Sequence, residues 1–368
     1  MRIAFYAPLK PPEHKTPSGD RRVARLFIEV LRQAGHEPFV ASRLRSFDPL
    51  GGELRQARMA ARGQQTAERL VARWRRAPET APGLWFTYHL SYKAPDWIGP
   101  AVAAALGIPY VVAEASFAAK RASGPWDAGH RAVAAALRQA DRVIGLNAAD
   151  REGVLPLLAH PDRWMALAPF LDARVYSGRR RRPVPPLRLV TVAMMRPGDK
   201  LASYRVLGVA LARLLDLDWT LEAIGDGPAR EEVRAALAPL GGRVRFAGAL
   251  SEAAIAAHLR DADLFVWPAI NEAFGMALVE AQASGLAVVA GASGGVGDTV
   301  ANGITGLLTP LGDAVAFAAA VRSLVSDPAR CAALGRAGRQ KIEREHDLPL
   351  ASARLEAMIA ILMQARAA

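Results

Sequence analysis

Two glutamates and a glycine form the part of this sequence best placed to do chemistry. The stretch from Trp267 to Gly291 reads WPAINEAFGMALVEAQASGLAVVAG, with Glu272 in a turn and Glu280 inside the helix that follows. That helix is expected to begin near Phe274–Gly275. A helix start presents unpaired N–H groups and the positive end of the macrodipole, and both attract phosphate. Gly275 has no Cβ, which lets a ligand approach the backbone of Gly275 and Met276 closely. Glu280 lies five residues further in, about 7–8 Å along the axis at ~1.5 Å per residue. That is roughly the reach from a diphosphate to a ribose, whose vicinal hydroxyls a carboxylate can bind. Glu272 lies on the turn before the helix, beside Asn271, and faces the other side of the phosphates, where a sugar would lie. The spacing fits a plainer arrangement equally well: a surface turn and an amphipathic helix packed through Ala277, Leu278, Ala281 and Ser284.

The elements around these residues predict a parallel α/β sheet. An apolar strand, Leu264–Trp267, precedes the turn. Gly285 stops the helix, and a second apolar strand, Leu286–Ala290, follows. The same grammar opens the chain. Strand Ile3–Ala7 runs into a Pro-rich loop ending in Ser18-Gly19-Asp20, then helix Arg21–Ala34, then strand Pro38–Ala41. Residues 52–77 predict an Arg-rich amphipathic surface helix. Strand Leu84–Tyr88 ends at His89, and strand Pro109–Ala113 ends at Glu114. Ligands of open parallel sheets gather at such carboxyl ends. Strand Arg142–Leu146 leads to Asn147, which caps the next helix. Later, strand Leu187–Met194 is followed by Arg196 and Lys200, and strand Trp219–Ile224 by Gly225-Asp226-Gly227-Pro228.

Composition narrows the classes. A chain of 368 residues, 51% hydrophobic, suits two domains with separate cores. One cysteine, Cys331, excludes an intrachain disulfide framework and fits a reducing compartment. Met1-Arg2 leads straight into a strand, with no signal-peptide pattern, and no run of 18 uncharged apolar residues marks a membrane span. A cytoplasmic protein is expected. The net charge of +12 invites a nucleic-acid partner, but only six of the 47 basic residues are lysine. That usage reads as base-composition bias, and no nucleic-acid motif accompanies it. A peripheral contact with anionic lipid at the inner face of a membrane is compatible with the charge. The loop after Ala7 lacks the G-x-G-x-x-G of a nicotinamide-dependent oxidoreductase. Asp261-Ala-Asp263 precedes a strand, so it reads as a helix-to-strand junction and no metal site is assigned.

Glu272, seven residues, then Glu280, with Phe274-Gly275 between and ASGLAVVA after, resembles the signature of family 4 retaining glycosyltransferases of the GT-B fold. Further stretches resemble that family: Gly225-x-Gly227-Pro228, Phe246-x-Gly248, and Asn302-Gly-Ile-Thr-Gly306. The resemblance implies two Rossmann-like domains facing across a cleft. They would be residues 1–178 for the acceptor and 187–345 for a nucleotide-sugar. A linker would span 179–186, and a C-terminal helix within 346–368 would cross back to the first domain. It also implies transfer of a sugar from a nucleotide-sugar, with retention, to a glycan, lipid or small-molecule acceptor, and no metal or other cofactor. On that reading Lys200 and Arg196 clamp the diphosphate, with Gly225, Asn271, Phe274, Gly275, Met276 and Glu280 around the donor. Glu272, Lys200 and His89 form the catalytic set, and Gly19 and Glu114 belong to the acceptor loop. The chain departs from the family in two places. Met194 stands where the family has arginine, and Glu114 where it has histidine. These departures leave a second class open, a non-catalytic nucleotide-sugar-binding or scaffold protein.

Overall fold

The structure, a computed structural model, describes all residues except Pro17, 179–184, Phe274 and Ala368, and for Ala367 the backbone only. Most of the linker expected at 179–186 therefore lies outside the described residues. The chain divides into two compact units: Met1–Ala168 together with Leu348–Ala368, and Pro169–Asp347.

Each unit is built on a six-stranded sheet. The first contains β1 (Arg2–Tyr6), β2 (Glu37–Val40), β3 (Leu84–Leu90), β4 (Tyr110–Ala115), β5 (Arg142–Gly145) and β6 (Trp164–Ala166). Their order is β2-β1-β3-β4-β5-β6, and every pairing is parallel. The second contains β7 (Leu187–Val192), β8 (Trp219–Ile224), β9 (Val244–Gly248), β10 (Leu264–Trp267), β11 (Ala287–Gly291) and β12 (Gly306–Thr309). Their order is β12-β11-β10-β7-β8-β9, again all parallel. Helices cover both faces of such sheets, so their central strands read as nearly unbroken apolar runs. LWFTYHL in β3 and LFVW in β10 are buried along almost their whole length.

The strand orders create two switch points. In the first unit β1 has β2 on one side and β3 on the other. In the second, β7 has β8 on one side and β10 on the other. The loops leaving the two strands at a switch point diverge to opposite faces and open a crevice at the carboxyl ends.

Local chemistry fixes the elements that flank these points. Helix Gly19–Gln33 starts where Ser18 Oγ accepts the amide of Arg21 at 3.2 Å, and it buries Val23, Phe27, Val30 and Leu31. Downstream of β3, Asp96 holds the next segment. Its Oδ1 accepts the amides of Ile98 at 2.8 Å and Gly99 at 2.7 Å. Its Oδ2 accepts the hydroxyls of Thr87 and, at 3.2 Å, Tyr110. Asp96 is 3% exposed. Burial drives its carboxyl pKa up, against four hydrogen bonds that favour the ion.

The expectation of a surface helix over 52–77 holds for one side only. Helix Glu53–Arg76 buries Gln56, Met59, Gly63, Ala67, Val71 and Trp74, which recur near 3.6-residue spacing. Leu348–Arg366 is long and apolar enough to cross a membrane by length and composition. Arg354 and Glu356 interrupt its apolar run, so no uncharged stretch marks it in the sequence. One face of this helix packs into the first unit through Leu355, Met358 and Ile359. Ser352 Oγ there donates to the carbonyl of Val30 at 3.2 Å.

Candidate active site

At the switch point of the second unit, Lys200 and Glu272 come together. Lys200 is the second residue of helix Asp199–Ala212, which follows β7. Glu272 lies on the turn after β10. Their side chains form an ion pair across 72 positions of sequence. It is largely sheltered, with the side chains 27% and 18% exposed. The Trp267 indole donates to the same carboxylate oxygen at 3.3 Å, and the Lys200 ammonium stands 5.5 Å from the Trp267 ring centroid. The turn is tied to helix Asp199–Ala212 twice more. Asn271 Nδ2 donates to Asp199 Oδ2 at 2.8 Å, and the Ile270 amide to Ser203 Oγ at 3.0 Å. The Glu272 amide donates to Ser293 Oγ at 3.1 Å.

Helix Met276–Ala283 opens just beyond this turn, with Gly275 as its N-cap at φ 64°. A Cβ on Gly275 would sit 2.8 Å from Leu278 Cδ1 and 3.3 Å from Glu272 Cγ, so both conformation and space call for glycine. The first amides of the helix, including that of Met276, have no partner inside it. Phe274 lies outside the described residues. Glu280 is only 3% exposed, which places its carboxylate within the body of the unit. Arg196 is half-buried in the loop after β7, and among the described residues its guanidinium has no hydrogen bond or ion pair. Gly225 acts through the backbone. At φ 143°, a Cβ there would lie 1.9 Å from the Ala193 carbonyl oxygen. Its absence lets the loops after β7 and β8 zip together, with the Met195 amide donating to Asp226 O at 3.0 Å.

The first unit has a charged cluster of its own. His89 Nδ1 stands 3.4 Å from Glu114 Oε1 and 3.6 Å from Asp20 Oδ1. Asp20 lies in the first turn after the β1 loop, so the cluster straddles this unit's switch point. Gly19 begins that helix, and a Cβ there would meet nothing within 4 Å. Close by, Asp150 is held by Asn147, whose Oδ1 accepts its amide at 2.9 Å. Five non-glycine residues among those described have positive φ: His89, Glu114, Ser123, Ala269 and Asn271. Four of the five lie in the two clusters, and strained backbone of this kind concentrates at working sites.

Comparison with known proteins decides the family. The family described as Glycosyl transferases group 1 matches residues 203–341, a span that includes Glu272 and Glu280. The 2-deoxystreptamine glucosyltransferase of Streptomyces kanamyceticus is 32% identical over 244 residues, 64% of this chain and 60% of that protein. D-inositol 3-phosphate glycosyltransferase 1 of Catenulispora acidiphila is 31% identical over 288 residues, 70% of this chain and 68% of that protein. The chain belongs to the group 1 glycosyl transferases. Its fold also superposes on the sucrose-phosphate synthase of Thermosynechococcus elongatus, at a TM-score of 0.73 and 20% identity over 99% of both chains. The two parallel sheets of this group 1 glycosyl transferase are those of the GT-B architecture.

In this group 1 glycosyl transferase the structure pairs Lys200 with Glu272 and His89 with Glu114, each pair within one unit. Four participants carry no mark in the sequence strong enough to assign them: Asp20, Asp150, Trp267 and Ser293. The available signals were positional. Asp20 and Asp150 each open a helix after a strand, and Ser293 precedes the glycine pair after β11.

The ionisation of His89 is set by its neighbours. Burial alone would lower its pKa, but the carboxylates of Glu114, Asp20 and Asp150 overcome that and raise it to about 9. His89 in turn holds the Glu114 carboxyl below its usual range despite burial. A pKa raised this far favours the cationic imidazole at neutral pH, a donor to hydroxyl or anionic oxygens. The stabilising effect has a definite pH window. It is fully present below the unfolded value of 6.5 and lost as pH rises through about 9. Wild type should exceed a His89→Gln variant by roughly 1–3 kcal/mol at pH 6 and match it near pH 10. Thermal melts of both proteins across that range check this, and a pH-independent difference would remove the charge pairing from the account.

Proposed function

We propose that this protein is a retaining, family 4 glycosyltransferase that moves a sugar from a nucleotide-sugar to a hydroxyl-bearing acceptor. The observation that carries the reading is the Lys200–Glu272 pair at a switch point, directly ahead of the helix start at Gly275–Met276. A departing nucleoside diphosphate gathers negative charge as the sugar bond breaks. An ammonium and a helix N-terminus fixed beside it stabilise that charge without reorganisation. Glu272 then binds sugar hydroxyls, Asn271 and Arg196 flank the donor, and Glu280 takes the ribose diol. His89 and Glu114, with the Gly19 loop, serve the acceptor side. No side chain is assigned as a nucleophile: the leaving phosphate itself takes the acceptor proton, and positioning supplies much of the rate. Metal is not required in this scheme, because Lys200 and the helix start provide the neutralising charge. The two relatives bear the names of a glucosyltransferase and an inositol-phosphate glycosyltransferase, which supports a sugar donor and a polyol or glycoside acceptor.

A thermal-shift panel of UDP, GDP, ADP and dTDP tests the donor site on wild type and Glu280→Ala. A ligand confined to the folded state adds about 2.7 kcal/mol at a hundredfold excess over Kd. One nucleotide should raise the melting temperature of wild type, and the shift should vanish in the variant. An identical shift in both proteins would remove Glu280 from the donor site.

A further inference from the structure

Helix Glu53–Arg76 carries a surface that sugar transfer leaves unused. On the side opposite its buried face, Arg58, Arg62, Arg69, Arg73 and Arg76 follow at steps of four, seven, four and three residues. At 3.6 residues per turn these steps form a single row, about 27 Å long at ~1.5 Å per residue. All five are exposed. Among the described residues none of their guanidinium groups has an ion pair or hydrogen bond. Only Glu53 and Glu68 are acidic on this helix, and Glu68 accepts a hydrogen bond from Gln64 at 3.1 Å. At the N-terminal end of the row, two leucines stand in water: Leu50 is 81% exposed and Leu54 75%. Leu54 continues the row, four residues before Arg58. Leu50 is no frayed end. The Asp48 carboxylate accepts the amides of Leu50, Gly51 and Gly52 at 3.3, 3.2 and 3.1 Å. Trp126 Nε1 donates to the Asp48 carbonyl at 2.8 Å and anchors the turn.

A solvated arginine face would account for the row, but not for two leucines held rigidly in water at its end. We propose that this face docks on an anionic lipid bilayer, with the arginines on headgroup phosphates and Leu50 and Leu54 entering the acyl boundary. Charge complementarity selects the partner, since each arginine near an anionic leaflet adds favourable binding. The leucines select a bilayer over a soluble polyanion, because burying apolar surface is favourable only where an apolar phase is available.

Co-sedimentation of the full chain with vesicles tests the proposal. One set is phosphatidylcholine alone, and the other contains about one part in three of phosphatidylglycerol. Binding is expected on the anionic vesicles only, and it should weaken with added salt. Arg58→Gln, Arg62→Gln and Arg69→Gln together should cut partitioning about a hundredfold. Leu50→Ser with Leu54→Ser should spare low-salt binding and remove the part that survives high salt. All these side chains are exposed, so the variants should keep the wild-type melting temperature, and a melt verifies that. Equal binding to both vesicle types, no binding to either, or wild-type partitioning of the arginine variant would overturn the proposal. So would RNA that strips the protein from vesicles while the leucine variant behaves as wild type. That result would assign the row to a nucleic acid.

Discussion

A Lys200→Met variant is expected to lose sugar transfer by a factor on the order of 10²–10³ in kcat, the usual cost of removing one fixed donor from a site of developing charge. Its fold should survive. The Lys200 side chain is 27% exposed at a helix start, and Glu272 keeps the Trp267 indole at 3.3 Å when the ammonium is gone. The loss should show twice: in turnover with a nucleotide-sugar, and in weaker binding of the bare nucleoside diphosphate. Lys200→Arg should not restore activity fully, because a planar fork cannot occupy the place of a compact ammonium beside the Trp267 ring. A Glu272→Gln variant separates the roles. It should keep nucleotide binding and lose turnover, if Glu272 serves the sugar as proposed. Wild-type turnover and nucleotide affinity in Lys200→Met would move the diphosphate clamp elsewhere, with Arg196 the nearest candidate.

Asp96→Ala is expected to destabilise the first unit by about 3–5 kcal/mol, since each buried polar group left unpaired costs about 1–3 kcal/mol. Two amides and two hydroxyls lose their acceptor at once. Thermal unfolding should fall by roughly 10 °C. Asp96→Asn should cost much less. Its oxygen can still take the amides of Ile98 and Gly99, while the hydroxyls of Thr87 and Tyr110 turn to accept its NH₂ group. Because His89 lies at the end of β3, just before the segment that Asp96 holds, the alanine variant should also disturb the His89–Glu114 pair. An alanine variant as stable as the asparagine one would show that the loop is held by packing instead.

The sequence determined the elements and the grammar that connects them. Apolar runs bounded by turn residues locate the strands of both sheets, and glycines such as Gly285 locate the helix ends, because periodicity and turn chemistry are local properties. The Glu272–Glu280 signature was legible for the same reason: it spans one turn and one helix, within a single βα unit. Gly275 was legible as the glycine at the helix start, and the structure adds an internal reason for it: only glycine suits φ 64° against Leu278.

What the tertiary structure alone decided is which distant residues meet. Lys200 reaches Glu272 across 72 positions because β7 and β10 are neighbours in the sheet, an adjacency no spacing rule contains. His89 meets Glu114 because β3 pairs with β4 in a register that sets their ends side by side, and Asp20 joins because β1 is the other neighbour of β3. The raised pKa of His89 is a consequence of that meeting. The left-handed backbone angles of Glu114 and Ala269, which their residue types do not favour, were likewise invisible in the local pattern. Burial divided two further outcomes. Glu280, on a helix that could have lain at the surface, is enclosed. The 52–77 helix, expected on the surface, gives one face to the core and keeps a row of arginines on the other. Local pattern specifies which side of an element is apolar; only the packed sheet specifies what that side is packed against.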